Sequence, residues 1–62
     1  MNVFTKIIAD ALSLPERGVE NTLELLDENC TIPFISRYRK ERTGNLDEVQ
    51  VSDIALMRER LI

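Results

Sequence analysis

An all-α fold is what this sequence predicts: a small four-helix domain with a helix-turn-helix-like element. Three observations carry the prediction. Apolar residues recur at helical spacing at the start of the chain, at Val3, Phe4, Ile7, Ile8, Ala11 and Leu12. Pro15 and Pro33 each follow residues suited to opening a helix, where a missing N–H costs nothing. No stretch alternates apolar and polar residues for long enough to make a strand. The Val49-Gln50-Val51 triplet is the one candidate, and the cap before it favours helix.

The first helix spans residues 3–12, with its apolar stripe inward and the Lys6–Asp10 pair outward. Ser13-Leu14-Pro15-Glu16 then reads as a helix start, with Ser13 as N-cap and Glu16 reaching back. This second helix spans 14–29. It turns Val19, Leu23 and Leu26 inward, with Thr22 and Leu25 beside them, and its acidic residues outward. Gly18, in its first turn, weakens helix propensity but leaves room for close packing. Asn29 suits a left-handed cap.

Cys30-Thr31-Ile32 forms the next turn, and Thr31 caps a third helix over 32–43, which Gly44 closes. Phe34, Ile35 and Tyr38 share one side of it, which is expected to face the core. A fourth helix spans 45–61, with Asn45 as cap and Glu48 three residues on. Leu46, Val49, Ile54, Met57 and Leu61 form its stripe. The predicted core is therefore Phe4, Ile7, Ile8, Leu12, Val19, Leu23, Leu26, Phe34, Ile35, Tyr38, Leu46, Val49, Ile54 and Met57. No internal repeat or low-complexity linker is visible. The sequence reaches Ile62 without a stop signal, so the natural chain is expected to continue. A helix ending there leaves Met57, Leu61 and Ile62 exposed for self-association.

Sixty-two residues make one small domain of marginal stability. The single cysteine, Cys30, excludes an internal disulfide and fits a reducing compartment. With no His, a Cys/His zinc site cannot be assembled, and Cys30 has no histidine to activate it. No metal or cofactor is expected. There is no membrane-length apolar run and no signal-peptide pattern, so a cytoplasmic location is expected. Adjacent acids such as Asp27 with Glu28, or Asp47 with Glu48, point different ways on a helix and read as solvated faces and caps. The two glycines, Gly18 and Gly44, stand too far apart for a phosphate loop. We expect no enzyme.

The feature that hints at a job is Pro33–Gly44. It carries Arg37, Arg39, Lys40 and Arg42 against one acid, Glu41, for a formal charge of +3. The remaining residues carry four bases and ten acids, or −6, within a chain of net charge −3. That balance argues against sequence-blind nucleic-acid binding by the whole domain while allowing a local basic patch.

Three segments carry a family resemblance: Leu14 to Glu20 (LPERGVE), Leu25 to Glu41 (LLDENCTIPFISRYRKE) and Thr43 to Glu48 (TGNLDE). With them, residues 7–61 resemble the N-terminal domain of the bacterial Tex family of transcription accessory proteins. The resemblance covers nearly the whole chain, and its Pro-Phe-Ile-x-Arg-Tyr-Arg-Lys-Glu segment is long and unusual. At the Cys30 position the family more often carries a small residue, which argues against a role for the thiol. The resemblance implies a much larger cytoplasmic protein, similar to a eukaryotic transcription elongation factor. Such proteins add a nuclease-like fold, helix-hairpin-helix elements and a C-terminal RNA-binding OB-fold domain. The implied partners are nucleic acid (RNA or DNA) bound through the full-length protein, other domains of the same protein, and the transcription machinery. No membrane is implied.

Two functional readings of Arg37, Arg39, Lys40 and Arg42 stay open, beside a plain solvated charged face. In one, the second and third helices form a helix-turn-helix, the arginines and Lys40 contact bases or phosphates, and Tyr38 stacks on a base if exposed. In the other, the basic helix docks on carboxylates of its neighbours or of other domains.

Overall fold

The computed structural model describes residues 3–61. Among them lie five helices: α1 (Val3–Leu12), α2 (Glu16–Asp27), α3 (Ile32–Tyr38), α4 (Lys40–Thr43) and α5 (Glu48–Leu61). The all-α expectation holds, and no strand occurs among the described residues. Expectations for the side chains of Val3 and Leu61, and for Ile62, fall outside what is described. No described helix is long and apolar enough to cross a membrane.

The expected third helix is two. Arg39 leaves helical geometry at φ −127°, ψ 29°, and its N–H closes α3 on the Ile35 carbonyl at 3.1 Å. One further turn, α4, follows and ends at Gly44, whose φ of +78° is the left-handed conformation that glycine adopts without strain. Thr31 caps α3 as expected, its hydroxyl accepting from the Phe34 N–H at 3.3 Å.

Two other caps differ from expectation. Ser13 is left-handed (φ 57°) and finishes α1, so that the Leu14 N–H reaches the Ala9 carbonyl at 2.9 Å; Pro15, with no side-chain cap bond, precedes α2. Asn45 is also left-handed (φ 70°), and Asp47 caps α5 instead. The Asp47 carboxylate accepts from the Gln50 N–H at 2.8 Å, and the Gln50 side chain accepts from the Asp47 N–H at 3.0 Å, a reciprocal capping box.

These junctions obey a rule that residue identities conceal. The left-handed residues Ser13, Asn29 and Asn45 stand 16 positions apart each time. Each is followed by an at least half-buried residue (Leu14, Cys30, Leu46) and then by the residue that opens the next helix (Pro15, Thr31, Asp47). Four positions on, the N–H of a fully buried residue closes on that opener's carbonyl: Val19 to Pro15 at 3.1 Å, Ile35 to Thr31 at 3.0 Å and Val51 to Asp47 at 3.0 Å. The two apolar positions are those of a hydrophobic staple, which fixes the angle at which the chain enters each helix. No repeat is evident from sequence because only apolar character and φ recur.

The core is Ile8, Ala9, Val19, Leu23, Leu25, Ile35, Leu46, Val51 and Ile54, with Phe4, Leu12, Leu26 and Met57 among the residues packed against it. Four residues expected in the core are exposed: Ile7 (44%), Phe34 (37%), Tyr38 (61%) and Val49 (68%). The expectation that aromatic residues clamp the cationic helix onto the bundle is therefore overturned. α3 is held instead by fully buried Ile35 and by Ser36, with Ile32 packed against the core. At about 100° per residue, the helix is turned by roughly one residue from the expected orientation. Its inward stripe runs through residues 32, 35 and 36. α1 is turned in the same sense, burying Thr5, Ile8 and Ala9 while Ile7 faces out.

Small residues permit this packing. At Gly18 an added Cβ would lie 2.6 Å from the Thr43 carbonyl oxygen, so α2 and α4 meet backbone to backbone. Two buried hydroxyls bond back within their own helices: Thr22 to the Gly18 carbonyl at 2.7 Å and Ser36 to the Pro33 carbonyl at 3.1 Å. Burial of these two leaves no orphaned donor, whereas the buried Thr5 hydroxyl has no hydrogen-bond partner among the described residues.

Candidate functional site

α3 is short, and one side of it faces solvent. Residues 34 and 38 are four apart, so their side chains meet on the helix surface whichever way it turns. The Phe34 and Tyr38 rings lie 5.4 Å apart at an interplanar angle of 49°, within the usual range for tilted aromatic pairs. The Arg39 guanidinium sits 5.0 Å from the centre of the Phe34 ring, and its Nη1 donates to the Tyr38 carbonyl at 3.0 Å. Such a cation–π contact at an exposed site contributes about 0.5–1 kcal/mol. Arg39 thus stiffens the aromatic pair and closes the end of α3 at once.

The four basic residues expected at the site part company. Arg42 turns to α2, where its Nη2 lies 3.6 Å from a Glu24 carboxylate oxygen, and the Arg42 carbonyl accepts from the Asn21 amide at 2.6 Å. Both side chains of the ion pair are about half exposed (44% and 56%), which limits it to about 0–1 kcal/mol. Arg39 is engaged with Phe34. Arg37 and Lys40 are exposed and enter no ion pair among the described residues.

The acidic helix next door is partly neutralised. Asp27 of α2 bonds Arg58 of α5, and Glu24 faces Arg42. What remains is an outward surface made of Tyr38, the Phe34–Arg39 stack and the charges of Arg37 and Lys40. It can offer an aromatic face and two cations to a negatively charged partner.

Sequence reasoning placed the two aromatics in the core and so missed them as surface groups. The spacing of 34 and 38 signals that those two rings meet; it carries no information on which way the pair faces. The Asn21–Arg42 and Asp27–Arg58 contacts were also missed, since each joins residues distant in the chain. Cys30 is half-buried and lines a shallow depression with Asn29, Thr31 and Phe34, as suits a structural turn residue.

The family model for the Tex-like protein N-terminal domain matches residues 2–61. The Transcriptional accessory protein Tex of Neisseria gonorrhoeae is 46% identical over 55 residues, 89% of this chain and 7% of that protein. The uncharacterised protein YdcI of Bacillus subtilis (strain 168) is 48% identical over 48 residues, 77% of this chain and 7% of that protein. At greater distance, S1 RNA-binding domain-containing protein 1 of Pongo abelii is 32% identical over 56 residues, 90% of this chain and 6% of that protein. The chain thus spans less than a tenth of the length of these relatives. No solved structure matches.

Proposed function

The chain belongs to the Tex-like protein N-terminal domain family, and from that premise we propose that it is the non-enzymatic N-terminal module of a transcription-associated, nucleic-acid-binding protein. On this reading the outward side of α3 and the start of α4 contact nucleic acid. The observation that carries it is the pair Arg37 and Lys40, exposed and outside every ion pair among the described residues, beside Tyr38 at 61% exposure. The cations neutralise phosphate and the phenol ring offers a stacking face. The names of the Neisseria and Pongo relatives, one a transcriptional accessory protein and the other containing an RNA-binding domain, favour the same class of partner.

Titration with duplex DNA and with single-stranded RNA at low and moderate salt tests this. Binding is expected to weaken with salt, and Arg37→Ala or Lys40→Ala each to lower the slope of log K against log salt by about 1. Absence of binding at low salt, or binding indifferent to both substitutions, rejects it. A second reading draws support from the Arg42–Glu24 ion pair: a docking bundle that touches only protein. Under it, neither nucleic acid binds.

A further inference from the structure

α5 is apolar on two opposite sides. Its inner side holds Val51 and Ile54, both fully buried. Its outer side holds Val49 and Leu56, which are 68% and 53% exposed. They stand seven residues apart, two helical turns along one side, with Ser52 between them. Apolar stripes on opposite sides of one helix are both buried only where both sides are covered. Here only one is.

The outer ridge opens onto a groove. Glu48, Val49, Ser52 and Asp53 of α5 face Ile32 and Pro33 at the start of α3 across a depression of about 410 Å³. Its floor is largely aliphatic and its rim is acidic. Glu48 and Asp53 line it, and Glu59 lies one turn beyond Leu56; none of the three enters an ion pair among the described residues. Arg60, one turn on, is the base nearest to Leu56 along the outer side of α5.

The geometry points to a docking surface on α5 for a cationic amphipathic helix of another protein segment. Apolar side chains of that helix seat against Val49 and Leu56 and in the groove beside Pro33. Its Lys and Arg flanks meet Glu48, Asp53 and Glu59. Charge decides between occupants. A second copy placed symmetrically sets these acids against their own equivalents, and nucleic acid or an anionic bilayer is repelled. This surface is distinct from the Arg37–Lys40 surface and stands whether or not that one binds nucleic acid.

The test uses the 62-residue chain and two labelled amphipathic peptides of about 18 residues, five helical turns, one Leu/Lys and one Leu/Glu of the same pattern. Fluorescence anisotropy is expected to show binding of the Leu/Lys peptide alone. Val49→Ser with Leu56→Ser weakens it about tenfold or more, with the far-ultraviolet circular dichroism unchanged. Glu48→Lys with Asp53→Lys also weakens it, while Arg37→Ala with Lys40→Ala leaves it unaltered. The proposal is overturned if the Leu/Lys peptide fails to bind, or if both peptides bind equally. It is overturned equally if Val49→Ser with Leu56→Ser changes nothing, or if sedimentation shows a dimer that this double substitution dissolves.

Discussion

At Thr43 the chain is pressed against α2; at Tyr38, five residues earlier, it stands in water. Thr43 is 1% exposed, its carbonyl fills the space that Gly18 leaves open, and its hydroxyl accepts from the Leu46 N–H at 3.3 Å. Tyr38 is 61% exposed and touches the ring of Phe34. Both residues belong to the one cationic stretch that stands out in the sequence. The α4 half is bound to the bundle by its backbone, so Arg42 is drawn onto Glu24. The α3 half is pinned through Ile35 and Ser36 on one side, and everything on the other side remains available to a partner. What a basic residue does here follows from how its backbone is anchored and not from the local density of charge.

Five substitutions in four experiments probe that contrast, each read as a change in unfolding free energy from urea titration. Ile35→Ala removes the main anchor of α3 and is expected to cost about 2–5 kcal/mol. With total stability of roughly 0.05–0.15 kcal/mol per residue, that is enough to unfold much of the protein. A loss near zero shows that α3 is not held through Ile35. Gly18→Ala drives a methyl group into the Thr43 carbonyl, which cannot swing away as a side-chain end could. An overpacking loss of about 1–3 kcal/mol is expected, less the small gain from replacing a helical glycine. A net stabilisation means that the α2–α4 seam is looser than described.

Arg42→Ala and Glu24→Ala, alone and together, are expected to give a coupling of about 0–1 kcal/mol that shrinks with added salt. A larger, salt-insensitive coupling places that pair inside the structural seam. Tyr38→Ala is expected to change stability by no more than about 0.5 kcal/mol. A cost of several kcal/mol restores the core role that the spacing suggests and removes the ring from the proposed surface.

Much of this was legible in residue order. Thr31, Pro33, Asn29 and Gly44 mark chain turns through local chemistry, and each does what its type predicts. Gly18 signalled close packing, which the Thr43 carbonyl now explains. The errors have more than one cause. Reading helix faces from apolar residues alone ignores hydroxyls that satisfy themselves. Ser36 bonds its own helix at Pro33, so it enters the interior at little cost and turns Phe34 and Tyr38 outward. Thr5 also lies inward on α1, with Ile7 outward, although its hydroxyl finds no hydrogen-bond partner among the described residues. At α5 the mistake is one of phase. Asp47 and not Asn45 opens the helix, so Leu46 packs from outside it and lends no support to placing Val49 inward.

The sequence alone determined an all-helical domain, the turns near Ser13, Asn29 and Gly44 though not the break at Arg39, and the family to which it belongs. These rest on side chains acting on their own backbone within a turn or two, and on residue identity itself. Only the tertiary structure decided the rotation of α1, α3 and α5 about their axes, and with it the exposure of Phe34, Tyr38, Val49 and Leu56. That rotation is set by contacts between distant segments, where a glycine, a self-bonded hydroxyl or an aliphatic residue permits a closer approach than a larger ring would.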